Sequence, residues 1–495
     1  MPTLLSALSQ WLSRAPWRGA DWRRRGLIGL CLLLLAPSPL PLALIKDFRT
    51  AQAATADKDY RTAADALADA AERLPYAGPV VYRAGLAELS AGRFELAVQH
   101  IRLSTELDGW TPEKHMALGD AYLGQDNRSA ATDQWALALK DRPTDMALLQ
   151  RLANNYEATG HYTETIAILG SLVALGQATP EMYYRLALLT AATAPDEALA
   201  RLAVVAAMSP DRAANAKVLT QAIQAGQQAN DEAYTFGLTG FAFVQLQEWP
   251  LAELALTRAV ALNPNFSRAY AYLGYALDEQ HKDGLPAYQT ALKLESGSPW
   301  INYMLGLHWR RLGDGNKAID YFQRALGLDA QNPAFAAELA TTYASQNDLT
   351  EAEHWFREAV RLSPQDPHFW LLLARFYCDQ NYHIADEGLP AARQAAALAP
   401  NDASAVDALG CALWLTGDLV NAEKTVQRAL ALDPNLPSAY YHLGQLYLKQ
   451  DQAPAAEAAF NHTLALDPQG AYGNLAFQAL AGMTTPLAPA ATPTP

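Results

Sequence analysis

The chain has 495 residues, 37 of them basic and 51 acidic, a net charge of −14, and three cysteines. A surface that acidic repels phosphate backbones and argues against nucleic acid as a partner. Three cysteines make neither a disulfide framework nor a metal set. Alanine and leucine dominate, β-branched runs are scarce, and the length exceeds what one core usually supports.

The charge is unevenly spread. Residues 1–25 form a basic N-terminal segment with Arg14, Arg18, Arg23, Arg24 and Arg25 against the single acid Asp21. Residues 26–45 follow without a charge, a run of 20 that is long enough to cross a bilayer as a helix. Trp11, Trp17 and Trp22 suit an interfacial belt, and the arginines orient the N-terminus to the cytoplasm and the remainder outside. The expectation is a single-pass cell-membrane anchor. A second reading takes Leu27–Ala36 as the apolar core of a signal peptide, with Ala51-Gln52-Ala53 as a cleavage pattern and secretion as the outcome. A third makes the segment a buried helix; Pro37, Pro39 and Pro41 weaken a membrane span. Leu30 before Cys31 does not fit a lipid-attachment signal.

From residue 46 onward a spacing takes over. Gly240 and Gly274 are 34 apart, as are Gly306, Ala340 and Ala374 in turn, and Gly410 and Gly444. Each of these except Gly240 follows a leucine, and most precede an aromatic residue by three positions. Such a period means stacked two-helix units. In residues 299–332, Ser298 caps the first helix and Pro299 is pre-set for its first position. Gly306 lets a neighbouring helix approach while Leu305 and Trp309 fill the gaps beside it. Gly313-Asp314 turns the chain, and Ala318, Phe322 and Ala325 form the apolar stripe of the second helix.

These residues resemble the tetratricopeptide repeat (TPR): the Leu-Gly/Ala pair with its following aromatic, the small-aromatic-small stripe and the closing proline, as in Leu339-Ala340-Tyr343, Ala352-Phe356-Ala359 and Pro364. The resemblance covers roughly residues 44–482. It implies an all-α fold, an α-solenoid of about 12 stacked helix pairs wound into a right-handed superhelix. The units divide into an N-terminal array over 46–210, an irregular helical joint over 211–232 and a C-terminal array over 233–482 that ends in a capping helix. One solenoid with a longer helix at 211–232 is an equal reading. Two residues are missing near Lys282–Pro286 and two are added near Cys378–Pro390. Residues 483–495 are rich in Pro, Thr and Ala and are expected to be a disordered tail.

Chemistry is sparse. No metalloprotease, nucleophile-elbow, phosphate-loop or paired-cysteine pattern occurs, so no catalytic, cofactor or metal residue is assigned and no enzyme activity is expected. His368 and His442 are expected on the surface, and no carboxylates are expected to meet at depth. Cys378 and Cys411, on first helices of adjacent repeats, read as buried small apolar residues whose bridging would need unusually close helices. In proteins similar to this one the first helices line a concave surface that takes extended peptides. Carried over by register, that implies a groove of Tyr272, Tyr275, Trp300, Tyr303, Arg310, Arg311, His368 and Arg375. The family's basic clamp for a C-terminal carboxylate is not reproduced. The function implied is a non-enzymatic, membrane-anchored scaffold that binds a partner protein or peptide. Alternatives are an organising subunit of a membrane complex for secretion or envelope polysaccharide assembly, and a glycan-binding module.

Overall fold

Where each helix starts and stops follows from short side chains and left-handed residues. Asp314 accepts a hydrogen bond from the Lys317 N–H and Asp348 from the Glu351 N–H, each satisfying one of the free donors at a helix start. The residues just before Asp314, Asp418 and Asp348 have positive φ: 80° at Gly313, 88° at Gly417 and 61° at Asn347. Glycine takes that conformation without cost and asparagine at little cost, so the chain reverses within two residues.

The computed structural model describes residues 39–484, and among them are 26 α-helices, one π turn and no strand. Contacts divide the described residues into two compact units, 39–190 with 207–209, and 191–206 with 210–484. The first contains four helix pairs: α1 (Pro39–Ala56) with α2 (Tyr60–Arg73), α3 (Gly78–Ser90) with α4 (Phe94–Asp108), α5 (Pro112–Gly124) with α6 (Arg128–Asp141), and α7 (Met146–Ala158) with α8 (Tyr162–Ala174). Helices α9 (Pro180–Thr193) and α10 (Pro195–Met208) fall mostly on either side of the division.

The second unit opens with the long α11 (Pro210–Ala229). Seven pairs follow: α12 (Glu232–Gln245) with α13 (Trp249–Leu262), α14 (Ser267–Glu279) with α15 (Leu285–Leu294), α16 (Pro299–Arg311) with α17 (Gly315–Leu328), and α18 (Pro333–Ser345) with α19 (Leu349–Leu362). The last three are α20 (Pro367–Asp379) with α21 (Leu389–Leu398), α22 (Ala403–Leu415) with α23 (Leu419–Leu432), and α24 (Pro437–Lys449) with α25 (Ala453–Leu466). Helix α26 (Ala471–Thr484) lies against the final pair.

A small residue facing a bulky side chain of the paired helix, in several pairs a ring, holds the two helices together. A Cβ placed on Gly306 would come within 2.5 Å of Phe322, and one on Gly444 within 2.5 Å of Phe460. The absent side chain is the space the ring occupies; Phe322 and Phe460 are wholly buried. In the first unit Gly119 receives Trp135 in the same way. There the buried Lys114 donates through Nζ to the Ser104 and Gly109 carbonyls, at 2.9 and 2.8 Å, and pairs with Asp108. It closes the end of α4 and leaves no bare charge at depth.

Both irregular spacings have a structural form. The missing residues shorten α15 to 10 residues where α17 has 14. The added ones form a π turn at Ile384–Gly388, entered through His383 at φ 47°.

The predicted membrane segment needs correction at its boundary. Residues 26–38 lie outside the described residues, as does the basic stretch before them. Residues 39–45 open α1, which continues unbroken to Ala56 and packs on α2. Pro39 and Pro41 sit in its first turn, where their missing N–H groups cost nothing. Among the described residues no helix is long and apolar enough to cross a membrane.

Candidate ligand groove

The glycine that admits a side chain from its paired helix also fixes which neighbour faces away. Successive helical residues are turned by about 100°, so the residue after the glycine points to another side of the helix. Phe241 follows Gly240 and Tyr275 follows Gly274 in this way, and both line one concavity in the second unit. The second residues of α14 and α16, Arg268 and Trp300, join them. The groove has a volume of about 620 Å³. Its walls are α12, α14 and α16, and Val218, Gln221 and Ala222 of α11 add a further side.

Aromatic rings run through it in series. Phe241 and Tyr272 have centroids 4.5 Å apart, Tyr272 and Trp300 6.0 Å, and Trp300 and Tyr303 5.1 Å in a stacked pair. The Arg268 guanidinium lies 4.8 Å over the Phe241 ring and 5.6 Å over Tyr272. Desolvation, reinforced by Glu338, pushes the Tyr303 hydroxyl well above its ordinary value; desolvation and then Glu279 do the same for Tyr275. Both phenols therefore stay protonated. No carboxylate lines the groove, and its one charge is Arg268. The Trp300 Nε1–H is buried and has no hydrogen-bond partner.

Four of the eight residues expected in a groove, Tyr272, Tyr275, Trp300 and Tyr303, are brought together here. Arg310 and Arg311 are not among its lining: Arg310 pairs with Glu338, and Arg311 pairs with Glu279 and lies 3.9 Å from Asp278. His368 and Arg375 stand on α20, away from this concavity. His368 is exposed beside Phe369, and desolvation raises the carboxyl of Asp379, a shift that His442 and then Arg375 offset only in part. Arg268 and Phe241 escaped the register reading although they occupy the same repeat positions as Trp300 and Tyr275. No periodic signal marks the α11 residues.

One histidine departs from its expected surface position, and two meet carboxylates at depth. His442 is buried, not on the surface, and its Nδ1 meets Asp407 at 2.9 Å. His308 Nδ1 meets Asp278 at 2.8 Å, and that carboxylate also accepts from Tyr288 and from the Gly284 N–H. Each pair joins consecutive first helices, where a residue's partner lies one repeat away. Cys378 and Cys411 are both buried free thiols. Cys378 Sγ lies 3.8 Å from the Ala408 carbonyl; its hydrogen bond to Cys411, together with burial, drives the Cys411 thiol well above its ordinary value. No cluster of three or more metal-ligating side chains occurs among the described residues.

The fold is an α-solenoid of helix-turn-helix repeats. Models described as tetratricopeptide repeat match residues 278–333, 310–376 and 437–469, and one described as TPR repeat matches 422–451. The chain is a tetratricopeptide repeat protein. A curated relative, the lipoprotein NlpI homolog of Haemophilus influenzae, is 35% identical over 98 residues, 19% of this chain. The match spans 31% of that relative's length. Among solved structures, yeast Tom70 is similar at 17% identity, TM-score 0.39, over 82% of this chain and 95% of its own. A tetratricopeptide repeat protein from Parabacteroides merdae is similar at 16% identity and TM-score 0.42, over 50% of this chain and 98% of its own. YrrB, described as a TPR protein with an unusual peptide-binding site, is similar at 19% identity and TM-score 0.30, over 39% and 98%.

Proposed function

We propose that this protein is a non-catalytic scaffold that holds an extended segment of a partner protein in the groove between α11 and α16. The observation that carries this reading is the preformed trough of Phe241, Tyr272, Trp300 and Tyr303 with the Arg268 guanidinium over its rings. Rings already packed on one another lose little freedom on binding, so modest contacts suffice. Aromatic and arginine side chains at the centre of a concavity are the usual anchors of such surfaces.

The uncharged stretch 26–38 that precedes α1, behind five arginines, supports a further placement, with the chain held at a cell membrane and the repeats outside the cytoplasm. The partial similarity to a protein named as a lipoprotein is in keeping with a membrane surface. Organisation of a larger membrane complex is one form this scaffold role takes.

The test is the double variant Trp300→Ala with Arg268→Ala, purified alongside the natural chain in mild detergent. Partners recovered with the natural chain should be depleted from the variant while its helical circular dichroism is unchanged. Equal recovery of every partner from both would rule the groove out as the binding site.

A further inference from the structure

The groove is dominated by ring faces. Its lining offers Phe241, Tyr272, Tyr275, Trp300 and Tyr303, the Arg268 guanidinium as its one charge, and no carboxylate. A proline-rich segment suits such a surface. Each proline supplies a carbonyl but no N–H, and its ring packs flat against an aromatic face. Proline also pre-sets the extended left-handed conformation, so little entropy is lost on docking.

This chain carries such a segment. Residues 485–495 contain Pro486, Pro489, Pro493 and Pro495, the apolar Leu487 and no charged side chain. In a protein of net charge −14, an uncharged stretch is also one that enters a groove without stripping water from an ion. We infer that the aromatic groove is the docking site for residues 485–495 of a second copy of this chain. Docking from a second copy follows from reach. Between α16 and α26 lie five steps from one first helix to the next, at about 8–10 Å each by ordinary helix packing. Eleven residues span at most roughly 36–40 Å when fully extended, before any of that length is used for contact. The surface and the segment differ, so the contact is head-to-tail. The inference rests on the groove being a peptide site and names the peptide.

The experiment titrates the full chain in mild detergent with a fluorescein-labelled peptide of residues 484–495, and with the same peptide carrying alanine at its four prolines. The proline peptide should bind and the alanine peptide should not. Trp300→Ala removes a broad ring face, which should weaken binding at least about fivefold, the effect of losing an aromatic anchor. Arg268→Ala, at an exposed side chain, should weaken it as well and guards against a folding defect in the first variant. Light scattering should show concentration-dependent association of the natural chain, lost when Pro486, Pro489, Pro493 and Pro495 are all replaced by alanine. No peptide binding, equal binding of both peptides, or unchanged affinity in both groove variants would overturn the inference; so would peptide binding by a chain that stays monomeric. If the peptide fails to bind but the Trp300 and Arg268 double variant still loses its partners, the groove reading stands and only its occupant is wrong.

Discussion

Asp407 on α22 and His442 on α24 meet at 2.9 Å with both side chains buried, linking the first helices of two successive repeats. Such a pair contributes less through its own attraction than through what its loss leaves behind. Taking one partner away strands a polar group in a place water does not reach. His442→Ala should therefore destabilise the second unit by about 3 kcal/mol. Replacing both residues with apolar ones should cost clearly less. Hydrogen exchange over α22 and α24 checks this locally, which suits a repeat array whose units need not unfold together. A loss in the double variant equal to the sum of the two single losses would show that the pair is not coupled.

Gly306 and Gly327 belong to the same helix pair but have opposite surroundings. A Cβ on Gly306 would strike the Phe322 ring at 2.5 Å, whereas one on Gly327 meets nothing within 4 Å. Gly306→Ala should cost about 1–3 kcal/mol through overpacking. Gly327→Ala should gain about 0.5–1 kcal/mol, because alanine loses less backbone freedom in a helix. Urea denaturation of the two variants beside the natural chain reads both signs.

In the first unit, His100 Nδ1 lies 2.7 Å from Glu88, whose side chain is buried. The hydrogen bond to Glu88, offset in part by desolvation, holds the His100 pKa above its ordinary 6.5. The folded state then binds this proton more tightly than the unfolded chain. Its contribution is complete below pH 6.5 and disappears as pH rises through the folded-state value. Between about pH 6 and 8.5 the melting temperature of the natural chain should fall more than that of His100→Gln. Parallel curves for the two proteins would refute the assignment.

Cys378 and Cys411 are buried and Cys411 is held far from its thiolate, the reactive form. In a Cys31→Ser background, a disulfide reagent should label neither thiol within minutes in the folded protein. Both should react at once in urea. Fast labelling of the native chain would mean that α20 and α22 open readily.

The repeat was legible because one residue type recurs for one reason. A small residue must stand wherever a ring from the paired helix enters, so Gly306 facing Phe322 and Gly444 facing Phe460 announce their pairing at fixed spacing. Half of the expected groove was legible on the same grounds: Tyr272, Tyr275, Trp300 and Tyr303 share a side of successive first helices. Arg310 and Arg311 share that side too, but Glu338 and Glu279 had already taken them, and nothing in a period tells which charge a neighbour neutralises.

The sequence by itself determined the helix pairs, their caps and the family, since these depend on contacts within a repeat and between adjacent ones. Only the tertiary structure decided that α11, which belongs to no pair, forms one side of the aromatic groove. It also decided that His308 and His442 are buried on carboxylates from the preceding repeat, and that the Trp300 N–H is left without an acceptor. The physical reason is the same in each case. Register places a residue on a face, but burial, charge pairing and an unfilled hydrogen bond depend on what the neighbouring helices bring to that face.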